Sequence, residues 1–478
     1  MTQELEADIC IIGAGSGGLS VAAGASQLCA RSLLIERGKM GGDCLNSGCV
    51  PSKSLLVAAK AAAFGASTAK LGVTYGAPSV DFQAVHDHVH GVIASIAPMD
   101  SVERFEGLGV TVLRASARFV APRVLEANGR RIKARRFVIA TGSQPAAPPI
   151  SGLDQVPYLT NESVFDLTTL PRHLIVLGGG PIGCELGQAF RRLGAEVSIV
   201  EMASILPKDD PELVEILRTR LRGDGITLYE QTRVIGAERD GAGDSAGVAL
   251  RVARNGQEQR ITGSALLLAA GRRPTIEGLN LEAAGIAYDR GGIKVDARLR
   301  TSDKRVYAMG DVAGGYQFTH VAGYHAGIVI RNALFRLPAK ADMGAIPWVT
   351  YCDPELAHVG LAEEAARAQH GKITVLRWPF AENDRAQTER KTDGLVKAIV
   401  TPGGRVLGAS IVGAQAGELI QPWVLALSQG LKIGALATMV APYPTLGEAS
   451  KRAAGSFYAP KLFGARTKAI VRLLGRLG

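Results

Sequence analysis

Two segments of the chain share one pattern of apolar, small and polar positions. In each, a short apolar run leads into glycines spaced as G-x-G-x-x-G, a helix-length stretch of small and apolar residues follows, and a second apolar run ends near a glutamate. The segments are residues 8–37, DICIIGAGSGGLSVAAGASQLCARSLLIER, and residues 173–201, HLIVLGGGPIGCELGQAFRRLGAEVSIVE. The pattern predicts a strand, a glycine turn, a helix and a second strand, twice over.

The glycines and the closing acids keep the same spacing in both copies. They are Gly13, Gly15, Gly18 and Glu36 in the first copy and Gly178, Gly180, Gly183 and Glu201 in the second. Such a turn lets backbone amides approach a pyrophosphate at a helix N-terminus, and the acid accepts a hydrogen bond from a ribose hydroxyl. We therefore predict two dinucleotide sites. The alternative is that one copy keeps the fold and binds nothing.

The second acid bears on the choice of nicotinamide nucleotide. A carboxylate at Glu201 repels a 2′-phosphate, whereas an arginine there would attract it. Arg191 and Arg192 fall within the preceding helix and not at the strand end. The sequence therefore favours NAD(H) over NADP(H) in the second site.

A glycine-rich loop with two cysteines follows the first copy. It reads GGDCLNSGCVPSK over residues 41–53, with Cys44 and Cys49, in a chain of only six cysteines. A regular helix would separate the two residues by about 7.5 Å along its axis, too far for a disulfide, so we expect a distorted turn between them. The pair is predicted to be redox-active, and the alternatives are two buried thiols or half of a metal site.

The residues after the pair predict how it is activated. Pro51 suits the first turn of a helix, which places Cys49 at the helix N-terminus and lowers its pKa. Lys53 then lies in the first turn, where the helix dipole disfavours a cation, so we expect it to hold charge on a reduced flavin. Because hydride transfer and thiol chemistry need a relay, the first copy is predicted to bind FAD and the second NAD(H).

Composition limits the classes of function. The chain has 478 residues, of which 47% are hydrophobic and 21% charged, as expected for a globular protein of two to four domains. The net charge of +10 is spread along the chain, so anionic cofactors are sufficient partners and nucleic acid is not predicted. We see no signal peptide and no apolar run of about 18 residues, and expect a cytoplasmic protein.

These residues resemble the active-site signature of the class I pyridine nucleotide-disulfide oxidoreductases, which include glutathione reductase, lipoamide dehydrogenase and mercuric reductase. The resemblance extends along the chain through ATGS at 140–143, AAGRRPT at 269–275, YAMGDVAGG at 307–315 and TYCDPELAHVG at 350–360. It implies an α/β homodimer with two Rossmann-like dinucleotide-binding domains and a C-terminal α+β dimerisation domain. The implied domains are FAD-binding at 1–150, NAD(P)-binding at 151–271, central at 272–345 and dimerisation at 346–478.

The resemblance also implies roles for individual residues. Cys49 would be the charge-transfer thiolate against the flavin, Cys44 the thiol that meets the acceptor, and Lys53 and Glu185 an ion pair beside flavin N5. Asp311 would contact the ribityl chain of FAD. Further cofactor contacts would come from Gly42, Thr141, Gly142 and Gly271.

The chain departs from the family at its C-terminal signature. Disulfide reductases carry a histidine that protonates the leaving thiol from the other subunit, whereas residues 443–448 here read YPTLGE. Glu448 is kept, but Tyr443 is a phenol that titrates near pH 10 and is a poor proton store. This counts against efficient turnover of lipoamide or glutathione disulfide. Mercuric reductase resembles the chain in this tyrosine but normally has a cysteine pair near its C-terminus, which is absent here.

The sequence thus predicts an enzyme that passes electrons from NADH through FAD to the Cys44–Cys49 disulfide. The acceptor is a small disulfide, a thiol-bound metal or another small molecule. Lipoamide dehydrogenase, a mercuric reductase-like metal reductase and an electron-delivering or regulatory subunit at a membrane are the alternatives.

Three weaker patterns remain. His86, His88 and His90 form HDHVH, which we interpret as a solvated helix face, so no metal site is predicted. His320 and His325 are more typical of structural histidines than of site residues. The C-terminal tail places Lys468, Arg472 and Arg476 on one helix face and Ile470, Val471, Leu473, Leu474 and Leu477 broadly opposite. Packing of this helix on the dimer is favoured over peripheral contact with a membrane.

Overall fold

The apolar runs of the first copy form the centre of a sheet. The computed structural model describes residues 4–241 and 247–477. The first elements are β1 (Glu4–Ile12), α1 (Ser16–Gln27), β2 (Ser32–Glu36), α2 (Gly42–Asn46), α3 (Cys49–Thr68), α4 (Phe82–Ile96), α5 (Val102–Gly107), β3 (Thr111–Arg114), β4 (Ala117–Ala121), β5 (Val124–Ala127), β6 (Arg130–Ile139) and β7 (Ser143–Pro145).

The first sheet has the strand order β3-β2-β1-β6-β5-β4, and its four strands β3, β2, β1 and β6 are parallel. Alternate residues of β1 enter different hydrophobic clusters: Ile9 and Ile11 pack on one face, Cys10 and Ile12 on the other. A strand buried on both faces needs a nearly continuous apolar run, which is why the pattern at residues 9–12 does not alternate.

The second copy builds a separate parallel sheet with the order β10-β9-β8-β14. Its elements are β8 (His173–Leu177), α6 (Pro181–Arg192), β9 (Glu196–Val200), α7 (Pro211–Gly223), β10 (Thr227–Tyr229), β11 (Arg233–Asp240), β12 (Gly247–Arg254), β13 (Gln257–Gly263) and β14 (Ala265–Leu268). Strands β11, β12 and β13 form an antiparallel sheet between β10 and β14 in the chain. The repeat pattern did not predict this insertion.

The chain then returns to the first sheet. The elements are β15 (Arg272–Pro274), β16 (Tyr288–Asp289), β17 (Gly292–Ile293), β18 (Val306–Ala308) and α8 (Thr319–Ala333). β15 pairs with β7, and β18 pairs in parallel with β6. Because the carboxyl ends of parallel strands share one edge of a sheet, this return places Asp311 at the edge that also carries the first glycine turn.

The last part of the chain is built around an antiparallel sheet of order β19-β20-β23-β22-β21. Its elements are β19 (Pro347–Thr350), β20 (Glu355–Gly360), α9 (Glu363–His370), β21 (Thr374–Pro379), α10 (Asp384–Thr388), β22 (Leu395–Val400), β23 (Val406–Gly413), α11 (Ala416–Leu419), α12 (Gln421–Ser428), α13 (Ile433–Ala437), α14 (Glu448–Ser456), α15 (Ala459–Leu462) and α16 (Ala465–Leu474).

The predicted fold class is confirmed: a mixed sheet with four parallel strands and a second, parallel sheet, both flanked by helices, are followed by an α+β unit. The domain boundaries at residues 150, 271 and 345 stay a prediction. Among the residues that the structure describes, no helix is long and apolar enough to cross a bilayer.

A buried lysine joins the second sheet's helices to the C-terminal sheet. Lys397 lies in β22, and its ammonium is 2.7 Å from Asp210 and 2.9 Å from both Glu212 and Glu363. Burial opposes the charge, but the three carboxylates outweigh it and raise the pKa of Lys397. Asp210 also caps α7 by accepting a hydrogen bond from the amide of Glu212. The ammonium therefore holds the start of α7 against β22.

We expect Lys397→Ala to lower the free energy of unfolding by about 3 kcal/mol, because it leaves neighbouring carboxylates without their cation in a buried site. Chemical denaturation at neutral pH measures the change. Lys372→Ala, at an exposed position, is the control and should change stability by less than about 0.5 kcal/mol. Equal denaturation midpoints for the two variants would contradict this role.

Candidate active site

Both glycine turns are closed by the same backbone contacts. Gly13 and Gly178 have φ angles of 104° and 114°, a region that side chains rarely adopt. A Cβ atom on Gly18 would lie 1.9 Å from the carbonyl oxygen of Gly13, and one on Gly183 would lie 1.9 Å from that of Gly178. These two glycines therefore set how closely each helix approaches its strand.

The helices that follow the turns begin at the expected points. Gly15 and Gly180 are the N-caps of α1 and α6, so the amides of each first helical turn face the space beyond the sheet edge. Positive helix ends in this arrangement favour phosphate groups.

The two predicted ribose acids are held at the ends of their strands. Glu36 accepts hydrogen bonds from the amides of Ala14 and Gly38, both at 2.6 Å. Glu201 accepts one from the amide of Gly179 at 2.7 Å. Each carboxylate is thereby fixed beside its own glycine turn, where an adenosine ribose would lie.

One cavity connects both turns with the cysteine loop. It encloses about 1710 Å³ and is large enough for extended nucleotides. The predicted residues that line it are Gly13, Gly15, Glu36, Gly42, Cys44, Cys49, Lys53, Thr141, Gly142, Gly178, Gly180, Glu185, Glu201, Gly271 and Asp311. Gly18 and Gly183 lie behind the turns, and Tyr443 and Glu448 do not line the cavity.

The helix is interrupted between the two cysteines, as the distance that a disulfide can span requires. Helix α2 ends at Asn46, and α3 begins at Cys49 after a non-helical Ser47 and Gly48. Cys49 therefore opens a helix, as predicted. The helix starts two residues before Pro51, so Lys53 lies in its second turn and not in the first. The structure has both cysteines as free thiols.

The pKa values of the two thiols are shifted in opposite directions. The thiol of Cys44 donates a hydrogen bond to Cys49, and this bond lowers the pKa of Cys49 to about 6. Thr319, whose Oγ1 is 3.4 Å from Cys49 Sγ, and the charge of Lys53 contribute to the same shift. The same hydrogen bond, together with burial, raises the pKa of Cys44. At neutral pH the reduced pair thus holds one thiolate, at Cys49, and one thiol, at Cys44.

Lys53 and Glu185 form the predicted ion pair, at 2.8 Å. Glu185 is buried and also accepts a hydrogen bond from the amide of Tyr351 at 2.9 Å. The Lys53 ammonium lies 4.3 Å from the centroid of the Tyr351 ring. Burial opposes the charge on Lys53, but Glu185 outweighs it and raises the pKa of Lys53. Lys53 is therefore a permanent cation beside the thiolate.

A polar network that the motif analysis missed supports the cysteine loop. Asp43 accepts a hydrogen bond from Asn161 at 2.9 Å and pairs with Arg272 at 3.3 Å. Arg272 also donates to Ser143 at 2.8 Å, and Ser143 donates to Asp311 at 2.6 Å. The signal was available, because Asp43, Ser143 and Arg272 lie inside three of the quoted motifs, but nothing in the motifs shows that they meet.

Tyr443 and Glu448 lie apart from the other predicted site residues. Tyr443 is 70% exposed, and its hydroxyl donates to Asp384 at 3.0 Å, which raises the pKa of the phenol. Glu448 begins α14. Within one chain neither residue reaches the cysteines, so the roles predicted for them require a second subunit.

The histidines lie in different settings, and among the described residues the Nε2 atom of His325 is buried without a hydrogen-bond partner. The rings of His86 and His90 lie 4.2 Å apart, yet the described residues contain no group of three side chains that could hold a metal ion. His325 is buried and accepts a hydrogen bond from the amide of Gly310 at 3.2 Å. His320 contacts the carbonyl of Pro347 at 2.8 Å and lines the cavity.

Two nucleotide turns that share a cavity with an activated thiol pair define a dinucleotide-dependent disulfide oxidoreductase. The chain belongs to the pyridine nucleotide-disulphide oxidoreductase family, whose sequence profile matches residues 7–326, and the family's dimerisation domain matches residues 346–454. The family uses FAD and NAD(P)H, so the protein is an FAD-dependent oxidoreductase, and the dimerisation domain indicates a homodimer.

Known relatives differ in the acceptors that their names give. The chain is 37% identical to mercuric reductase from Bacillus cereus over 94% of this chain and 71% of that protein. It is also 37% identical to dihydrolipoyl dehydrogenase from Thermus scotoductus, over 94% of this chain and 97% of that protein.

Solved structures with the same fold include a metal complex. The Cu(II) complex of the HOCl-induced flavoprotein disulfide reductase RclA from Escherichia coli is 29% identical, with a TM-score of 0.82 and coverage of 93% of this chain and 98% of RclA. LpdA from Mycobacterium tuberculosis is 26% identical, with a TM-score of 0.85 and coverage of 95% and 99%.

The first glycine turn is expected to bind FAD and the second NADH. A glycine-to-alanine substitution at each turn, which adds one methyl group, tests this assignment. Gly18→Ala should yield protein that has lost most of its flavin absorbance, because the added Cβ meets the Gly13 carbonyl. Gly183→Ala should keep its flavin but bind NADH about tenfold more weakly or worse.

Gly91→Ala is the control for both variants, since a Cβ there meets no atom within 4 Å. Loss of flavin from Gly183→Ala with retention in Gly18→Ala would reverse the assignment of the two sites.

Alkylation of the reduced protein tests the acidity of the thiols. Because a thiol reacts as its thiolate, modification of Cys49 by iodoacetamide should increase as pH rises, with a midpoint near 6. Lys53→Met removes a nearby positive charge and should move this midpoint up by about one unit.

Lys60→Met, on the same helix α3, should leave the midpoint unchanged. Mass spectrometry of the alkylated peptide gives the midpoint for each variant. A Cys49 midpoint between pH 8 and 9 in the wild type, where ordinary thiols titrate, would refute the proposed activation.

Proposed function

We propose that this protein is an NADH-dependent flavoenzyme that reduces a soft metal ion held by Cys44 and Cys49. The observation that carries the proposal is the acid–base pattern of the site. It contains a stabilised thiolate beside a thiol, and the position where disulfide reductases place an imidazole is a tyrosine.

The residues present fit the two nucleotides of the family. The first turn, Glu36 and Asp311 would hold FAD, which when bound supplies a two-electron relay between nicotinamide and sulfur. The second turn and Glu201 would hold NADH. The Glu201 carboxylate, fixed at its strand end, repels a 2′-phosphate, which supports NADH over NADPH. We place this activity in the cytoplasm, where NADH is available.

The thiol pair suits a soft divalent metal ion. Thiolate sulfur is the preferred protein ligand for soft metals, and Cys49 offers a thiolate at neutral pH. Binding of the metal by Cys44 as well displaces the proton of that thiol. One NADH carries the two electrons that reduce two Cu(II) ions to Cu(I), with release of one proton, or one Hg(II) ion to the metal. The names of mercuric reductase and of the Cu(II) complex of RclA agree with this chemistry.

The tyrosine at position 443 favours a metal acceptor over a disulfide acceptor. When a disulfide substrate is reduced, its leaving sulfur needs a proton near neutrality, and an imidazole can supply and recover one. The phenol of Tyr443 donates a hydrogen bond to Asp384, and this bond raises the pKa of Tyr443 further. A metal ion needs no such proton. Glu448 of the second subunit would only shape the acceptor pocket.

Dihydrolipoyl dehydrogenase is the second candidate, because the relative with that name in Thermus scotoductus matches over 97% of its length. Its reaction needs the proton exchange that Tyr443 performs poorly.

An acceptor panel with three variants tests the proposal. We expect the wild type to oxidise NADH with Cu(II) or Hg(II) and to oxidise dihydrolipoamide with NAD⁺ slowly. Tyr443→His should raise the dihydrolipoamide rate about tenfold or more by supplying an acid–base group, and Tyr443→Phe should keep the metal rate.

Cys44→Ser is the control for the route of the electrons. It should lose metal-dependent NADH oxidation while retaining reduction of ferricyanide, which needs no thiols. A wild type that turns over dihydrolipoamide rapidly, and loses that rate on Tyr443→Phe, would establish the second candidate instead.

A further inference from the structure

In the part of the chain that the structure describes, the segment after residue 458 is little buried. We call residues 459–477 the basic tail; it contains α15 and α16. Neither helix has a buried residue. Its large apolar side chains are exposed to 56% or more, at Leu462, Phe463, Ile470, Val471, Leu473, Leu474 and Leu477. Exposed apolar residues at this density indicate a contact surface.

The charge of the tail has a single sign. It carries five cations, Lys461, Arg466, Lys468, Arg472 and Arg476. Residues 459–477 include no aspartate or glutamate, so the charged side chains of the tail are all positive. A surface that fits the basic tail must therefore be both anionic and able to accept apolar side chains.

The apolar and basic residues divide around α16. Lys468 and Arg472 lie four positions apart on α16 and so share one side of the helix, and Arg476 follows at the same spacing after the helix ends at Leu474. Ile470, Leu473 and Leu474 lie broadly opposite, and Leu477 also follows the helix end. Arg466 falls among the apolar residues, near the start of the helix, where a long side chain can extend its charged end to a polar boundary.

The basic tail lies outside the segment that matches the family's dimerisation domain, which ends at residue 454.

We propose that the basic tail binds anionic lipid bilayers, with its apolar side at the acyl boundary and its cations among the headgroups. No helix of the described residues can span a bilayer, so the contact is peripheral. A helix of ten residues, Ala465–Leu474, binds a surface weakly alone, but a homodimer presents two copies, and the second binds at high effective concentration. Both subunits would be held at the membrane surface.

Flotation of the purified holoenzyme with lipid vesicles tests the proposal. Vesicles of equal parts phosphatidylcholine and phosphatidylglycerol should carry the wild type, and vesicles of phosphatidylcholine alone should not. The triple variant K468E/R472E/R476E should reduce the bound fraction more than about tenfold, since each basic residue adds to attraction by anionic lipid. Ile470→Ala with Leu473→Ala and Leu474→Ala should also weaken binding and make it more sensitive to salt.

A matched variant controls for net charge. K340E/R254E/K372E makes the same change in charge at three exposed positions and should bind phosphatidylglycerol vesicles as the wild type does. A wild type that stays unbound, or a tail variant that binds as well as the wild type, overturns the proposal.

The alternative is that the tail contacts a second copy of the chain. Analytical ultracentrifugation, which measures the oligomeric state, distinguishes this alternative. Protein truncated after residue 458 should remain a dimer and keep its NADH–ferricyanide activity. If truncation gives monomers, the tail is a dimer contact and the proposal fails.

Discussion

The ion pair between Lys53 and Glu185 is the contact on which the site depends. Lys53 lies one helical turn after Cys49 on α3, and Glu185 lies in the second turn of α6, which follows the second glycine turn. The pair therefore joins the helix that carries the thiolate to the helix that faces the second nucleotide. Removing Lys53 would leave the Glu185 carboxylate charged in a buried place, which costs more than an exposed pair contributes.

The Lys53 ammonium also acts on the thiols of the site. Its charge helps to keep Cys49 ionised, while the hydrogen bond from Cys44 stabilises the thiolate and holds a proton on the other sulfur. One sulfur is thus charged and the other protonated before any acceptor arrives. The network from Asp43 through Arg272 to Asp311 fixes the cysteine loop against the return of the chain to the first sheet. The duplicated glycine turns open into the same cavity as these sulfurs.

Much of this followed from the sequence because it depends on local rules. Glycine spacing predicted both turns, and disulfide reach predicted the break between Cys44 and Cys49. Contacts between distant segments could not be predicted in the same way. Arg272 and Asn161 meet Asp43 only because the second sheet packs beside the first, and Tyr351 reaches Lys53 only through the C-terminal sheet. The antiparallel insertion β11–β13 has no motif, and the distance of Tyr443 from the cavity depends on tertiary structure.

The central claim is that NADH reduces a disulfide between Cys44 and Cys49. Thiol counts on denatured protein, before and after anaerobic addition of NADH, test it most directly. The chain has six cysteines, so the oxidised protein should show four thiols and the NADH-treated protein six, with the two new thiols on the peptide of residues 41–53. A count that NADH does not change, or new thiols on any other peptide, would contradict the account.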